Sequence, residues 1–118
     1  MYALPEDFDT SFLLGQELLS ITIGKNHVEL MFEPVRITIE SGLSCLLLGI
    51  ENHPTQNLHD SACHAVALLG KNISAVEKLS STDIVLWFSQ VGQIRLAGAN
   101  CSYECYQIST GQGQLYVV

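Results

Sequence analysis

The chain has 118 residues, of which 47% are hydrophobic and only 14% charged. That is enough apolar material for one packed core in a single domain, 1–118, and it argues against disorder. Twelve acidic residues against five basic ones give a net charge of −7. A field of that sign repels phosphate backbones and disfavours direct nucleic-acid binding, while it steers basic partners inward.

The start, Met1-Tyr-Ala-Leu-Pro-Glu-Asp, has no positively charged n-region, so no secretory leader is expected. No apolar run approaches the roughly 18 residues of a spanning helix. A cytoplasmic location is therefore expected. There, the cysteines at 45, 63, 101 and 105 should be buried thiols and not disulfides.

In chain order, Asp9 or Thr10 is placed to cap a short turn before Phe12-Leu13-Leu14, and Gly15 should stop it. Leu18–Ile23 alternates, with Leu19, Ile21 and Ile23 on one face, and Gly24-Lys25-Asn26 signals a turn. Val28, Leu30 and Phe32 alternate with Glu29 and Met31. Glu33-Pro34 breaks that run, since proline cannot donate to a ladder. Val35, Ile37 and Ile39 alternate with Arg36, Thr38 and Glu40. Leu43–Ile50 is almost wholly apolar, which predicts a strand buried on both faces.

The period changes at Leu58–Leu69, where Leu58, Ala62, Ala65, Val66 and Leu69 share a helical face. Gly70 then suits the position after a helix. Thr82–Ile108 holds three apolar runs, Ile84–Phe88, Gln93–Ala97 and Tyr103–Ile108. Gly92 and Gly98-Ala99-Asn100 separate them, so they read as a three-stranded antiparallel meander. Gln114–Val118 can add an edge strand after the Gly111-Gln-Gly113 turn.

The chain also repeats itself. Leu13-Leu14-Gly15 is echoed by Leu68-Leu69-Gly70, and Val28–Phe32 by Ile84–Phe88. Val35–Ile39 is echoed by Val91–Leu96, and Leu43–Ile50 by Tyr103–Ile108. The expected fold is α+β, mostly β. Two similar antiparallel meander halves, about 12–50 and 68–108, are joined by one helix near 58–69. They should form a sheet, a sandwich or a partly open barrel.

The residue types allow three kinds of chemistry. His59 and Cys63 at i, i+4 with Cys101 and Cys105 could surround zinc, but on a strand those last two would lie about 13 Å apart. Small core cysteines and a solvated His59 explain them better. Cys63 and His64 are adjacent, so on a helix they diverge by about 100° and cannot form a nucleophile pair. The carboxylates Glu29, Glu33, Glu40, Asp83 and Glu104 suit solvated strand positions better than a catalytic cleft. No P-loop, G-x-S-x-G or G-x-G-x-x-G occurs. No catalytic residue, metal or cofactor is expected, and the chain does not read as an enzyme.

What remains is surface. If Ile84, Leu86 and Phe88 face the core, Val85 and Trp87 face away. Glu29 and Met31 are their counterparts in the first half, and Glu104, Tyr106 and Ile108 share a face. Aromatic, Met and acidic residues together compose a protein-binding surface. Burial of Trp87 under the helix or the other half would explain it equally well.

Trp87-Phe88, Gly92, Ile94-Arg95-Leu96 and the block Tyr103-Glu104-Cys105-Tyr106-Gln107-Ile108 resemble a group of small bacterial domains of uncharacterised function. Those domains carry a Y-E-S-[WY]-x-I block where this chain has Y-E-C-Y-Q-I. Proteins of this kind are similar to bacterial immunity proteins, including those that protect against contact-dependent toxins. The resemblance implies an antitoxin that blocks the active or substrate-binding surface of a cognate toxin, with a basic nuclease domain as the expected partner. Glu29, Glu33, Glu40, Asp83, Trp87 and Glu104 are the expected contact residues. The alternative is a small-ligand or regulatory module with a pocket between the halves, lined by Tyr103, Tyr106 and the histidines. Homodimerisation through an edge strand is left open by the sequence.

Overall fold

A computed structural model of the chain describes residues 3–49, 57–98 and 105–118. The first half contains β1 (Ser20–Ile23), β2 (Val28–Met31), β3 (Arg36–Ile39) and β4 (Leu43–Leu47). Helix α1 (Leu58–Ala65) follows and runs into a 3₁₀ turn at Val66–Leu68. The second half contains β5 (Ala75–Lys78), β6 (Ile84–Phe88), β7 (Gly92–Leu96), β8 (Tyr106–Ser109) and β9 (Leu115–Val117). Among the described residues, no helix is long and apolar enough to cross a membrane.

The strands form a five-stranded sheet, β1-β2-β3-β8-β9, and a four-stranded sheet, β4-β7-β6-β5, with every neighbouring pair antiparallel. The mostly-β class with one helix and two related halves therefore stands, as an open pair of sheets. The expected three-stranded meander over 82–108 does not. β6 pairs with β7, but β8 leaves them for β3, setting Tyr106 opposite Ile39 and Ile108 opposite Ile37. β4 makes the converse move and pairs with β7, setting Leu43 opposite Leu96 and Cys45 opposite Ile94. Each half thus gives its fourth strand to the sheet of the other. Alternation along a strand sets which residues face inward. It does not choose the neighbour.

An approximate two-fold relates the halves, and it is visible in hydrogen bonds. Gly15 N–H donates to Ile73 O and Gly70 N–H to Leu18 O, both at 2.8 Å. Leu18 N–H donates to Lys71 O at 3.0 Å, and Ile73 N–H to Gln16 O at 2.9 Å. The Glu17–Asn72 bridge lies at the centre of this set. The β2–β3 and β6–β7 turns match too, each with one left-handed residue, Glu33 at φ 61° and Ser89 at φ 50°.

The sheets bury their inner faces in one core. Val28, Leu30, Ile37, Ile39 and Ile108 come from one sheet, and Leu43, Ile84, Leu86, Phe88, Ile94 and Leu96 from the other. Each such side chain taken fully from water contributes about 1.5–3 kcal/mol. The seam between β4 and β7 is closed by Ala97 N–H donating to Gly42 O at 2.8 Å. Gly42 sits at φ 80°, and a Cβ there would lie 1.9 Å from the Ala97 carbonyl oxygen. Only glycine lets the two chains approach this closely.

Three expectations about faces are corrected. In β1, both Leu19 and Ser20 lie opposite Met31, since Leu19 N–H bonds Met31 O while Ser20 is its register partner. That bulge turns Leu18 inward, at 0% exposure, and leaves Leu19 outside at 46%. β4 is an edge strand, so its outward Leu46 and neighbouring Leu48 are exposed and the strand is covered on one face only. On the helix, the tightening to 3₁₀ geometry turns Leu68 inward in place of Val66 and Leu69. Ser61, Ala62 and Ala65 complete the buried stripe.

The helix start is capped by Asn57, whose side chain accepts from the N–H groups of His59 and Asp60. At the chain start Asp9 does similar work, its Oδ1 accepting Ser11 N–H at 2.9 Å, which holds its carboxyl below the usual range. The turn it opens sinks Leu13 into the core, and Phe8 packs edge-on against Phe12 and Tyr116. β9 is the edge strand expected of the tail.

Candidate partner-binding surface

The outer face of the five-stranded sheet follows from the register. One row across it reads Thr22, Glu29, Thr38, Gln107, Val117, and the next reads Ser20, Met31, Arg36, Ser109, Leu115. Glu40 follows β3 with the same parity as Thr38, so it is a diagonal neighbour of Glu29. Such positions lie about 7–8 Å apart. Glu33 stands exposed at the other end of the β2–β3 hairpin, in the left-handed turn closed by Phe32 N–H donating to Val35 O at 2.8 Å. The hairpin thus carries carboxylates at both ends, with Met31 and Arg36 between.

Among the described residues none of these carboxylates makes an ion pair. The single salt bridge among the described residues joins Arg95 Nη2 to Asp83 Oδ2 at 2.8 Å. Asp83, expected as a contact residue, is buried and its carboxylate is engaged within the fold. Its Oδ1 also accepts Gly98 N–H at 3.1 Å and the Thr82 hydroxyl at 2.9 Å. Burial works to raise its pKa, but the bonds from Arg95, Gly98 and Thr82 outweigh it and hold the carboxyl below the usual range. Asp83 ties the start of β6 to the end of β7. Sequence reasoning missed this because it depends on the β6–β7 register, which sets Val85 opposite Arg95 and so brings Arg95 alongside Asp83.

Trp87 does face outward, half-buried, but on the other sheet. Its row reads Leu46, Gln93, Trp87, Ala75. The outer face there is more apolar, with Leu46 40% and Leu48 49% exposed. Trp87 and the Glu29–Glu40 group therefore belong to the solvent faces of different sheets and form no common patch. Tyr106 and Ile108 share a face as expected, but it is the inner one, where they are 1% and 0% exposed. The Tyr106 hydroxyl donates to Thr82 O at 2.8 Å, and burial, with the Asp83 charge, pushes its pKa up. Glu104, with Tyr103, Cys101 and His53, lies outside the described residues.

The remaining chemistry-bearing side chains are dispersed. Among the described residues no three His, Cys, Asp or Glu side chains converge on a point. His59 Nε2 is taken by Gly24 O at 2.8 Å. Cys63 is an exposed thiol and not the core residue expected, because it lies on the helix face opposite Ala62 and Ala65. Cys45 is a buried thiol whose pKa burial raises to about 11. Cys105 is disulfide-bonded, against the expectation of free thiols throughout. A shallow indentation between Thr38, Glu40, Cys105, Tyr106 and Gln107 measures about 10 Å³, room for one water.

The chain matches no family model, no curated protein and no solved structure.

Proposed function

We propose that the chain is an immunity protein that binds a basic protein toxin, with a nuclease domain as the fitting partner. The contact surface is the outer face of the five-stranded sheet around the β2–β3 hairpin. The observation that carries this reading is the set of outward carboxylates Glu29, Glu33 and Glu40 on that hairpin, none in an ion pair among the described residues, in a chain of net charge −7. A nuclease presents Lys and Arg to a phosphate backbone. A rigid sheet bearing spaced carboxylates offers those cations the same sign of charge, and occupies the surface that nucleic acid needs. Met31, half-buried between the acids, supplies apolar contact at the centre.

The resemblance of the Trp87–Ile108 segment to small bacterial domains of uncharacterised function, a kind similar to immunity proteins, supports the same reading. The test is co-expression with a basic nuclease toxin domain, sought first in the product of a neighbouring gene, together with a nuclease assay on purified components. Restored growth and stoichiometric inhibition, both lost on reversing Glu29 and Glu40 to Lys, support the proposal. Inhibition that survives the reversal, or no inhibition, refutes it.

A further inference from the structure

Arg36 is the only cation on the strands of the five-stranded sheet. It stands exposed on the outer face, opposite Met31 on β2 and Ser109 on β8, so no carboxylate lies directly across from it. Glu29 is its diagonal neighbour, at about 7–8 Å, and Glu33 stands at the near end of the hairpin. The Arg36 guanidinium nevertheless makes no ion pair or hydrogen bond among the described residues. The chain's other arginine, Arg95, is bound to Asp83, and Lys78 donates to Pro5 O, so those charges are engaged within the fold. The face therefore displays charge in the order negative, positive, negative: Glu29 and Glu40, then Arg36, then Glu33.

A uniformly basic partner does not fit that order. The acids attract its Lys and Arg, but Arg36 would meet one of them at close range, and like charges brought together at an interface are costly. Arg36 also lies within a Debye length, about 8 Å, of Glu29, so a cation drawn in by that acid feels the guanidinium as well. The complementary surface has the reverse order, an acid set between cations. A guanidinium meets such a carboxylate with a fork of parallel N–H···O bonds.

On a nuclease an acid among cations has a particular chemistry. Lys and Arg hold the phosphate backbone, while carboxylates between them hold the divalent metal that polarises the phosphate and generates the nucleophile. We infer, on the reading that the partner is a basic nuclease, that Arg36 takes such a metal-binding carboxylate. The toxin class this chain fits is then a metal-dependent nuclease, and the protein competes with the divalent cation for the same acid. Glu29, Glu33 and Glu40 hold the flanking cations while the guanidinium occupies the metal's place.

The experiment measures inhibition of the basic nuclease domain of the co-expression test, with Mg²⁺ and separately Mn²⁺ varied at constant ionic strength. It compares the parent with Arg36→Glu, Arg36→Gln, Arg36→Lys and Glu29→Lys/Glu40→Lys, each checked for an unchanged urea midpoint. The sign of the Arg36→Glu effect decides. If Arg36 takes an acid, the reversal weakens inhibition about 30-fold or more, and Arg36→Lys, which keeps the charge and loses the fork, weakens it about 10-fold or less. If Arg36 is a bystander, a more acidic face binds a basic toxin more tightly. Arg36→Gln carries the same choice of sign without adding a charge, which guards against a folding effect of the reversal. The apparent inhibition constant of the parent should also rise with the divalent cation. Arg36→Glu and Arg36→Gln that inhibit as well as the parent or better, or inhibition indifferent to both metals, overturn the inference. If Glu29→Lys/Glu40→Lys is still inactive in that case, the nuclease reading survives. A protein that inhibits no basic nuclease, or one that neither reversal affects, overturns both.

Discussion

Replacing Asp83 with Ala should be far more costly than replacing its ion-pair partner Arg95. The carboxylate accepts from Arg95, from Thr82 and from the buried N–H of Gly98. Arg95 is 46% exposed at its side chain, so its arm of the pair is worth about 1 kcal/mol or less. Leaving the buried Gly98 N–H without an acceptor costs about 1–3 kcal/mol, and losing the Thr82 bond adds about 1 more. Asp83→Ala should therefore destabilise by about 3 kcal/mol, equivalent to a fall in Tm of roughly 10 °C for a domain of this size. Arg95→Ala should lose less than about 1 kcal/mol. Urea unfolding monitored by Trp87 fluorescence measures both. The folded carboxyl titrates below its unfolded value, so its contribution is complete above the ordinary carboxylate range. It fades as the pH falls through the lowered folded value. The gap between the parent and Asp83→Asn should accordingly narrow on acidification. Equal costs for the Ala variants at positions 83 and 95, or a gap that widens in acid, would refute the assignment of Asp83 as the clasp between β6 and β7.

Two further outcomes follow from the same geometry. Gly42→Ala should destabilise by about 3 kcal/mol or more, because its Cβ would strike the Ala97 carbonyl across the β4–β7 seam, whereas Gly15→Ala should cost only about 1–2 kcal/mol of left-handed strain in open space; thermal melts of the two variants make the comparison. A thiol reagent at mildly alkaline pH should label exposed Cys63 in the native protein and leave Cys45 protected until unfolding, since burial holds the Cys45 thiol protonated up to about 11; mass spectrometry of the labelled peptides reads the result.

Much of this architecture is legible in the amino-acid order, and the limits of that legibility are physical. Ile84, Leu86 and Phe88 against Val85 and Trp87 give both a strand and its inner face, because a period of two is a property of one segment. The echo between Leu13-Leu14-Gly15 and Leu68-Leu69-Gly70 is likewise readable, and it marks the two-fold. The exchange of β4 and β8 is not, since each strand pairs with residues 45 or more positions away, and its alternation suits either sheet equally. The same gap hides which of the candidate surface residues share a sheet. Glu29, Glu40 and Trp87 all lie on outward positions, but only the strand order puts the acids on one sheet and the indole on the other. Asp83 reads as a solvated acid in the sequence, and only the β6–β7 register sets Arg95 beside it.

The most direct test of the proposed acidic binding face is the association rate with the toxin domain across ionic strength, measured by stopped-flow for the parent, for Glu29→Lys/Glu33→Lys/Glu40→Lys, and for Trp87→Ala. Binding by this face predicts that the triple reversal slows association about 10-fold or more at low salt and much less at high salt, with Trp87→Ala near the parent. A triple reversal that leaves the rate unchanged while Trp87→Ala abolishes binding would place the interface on the other sheet and contradict it.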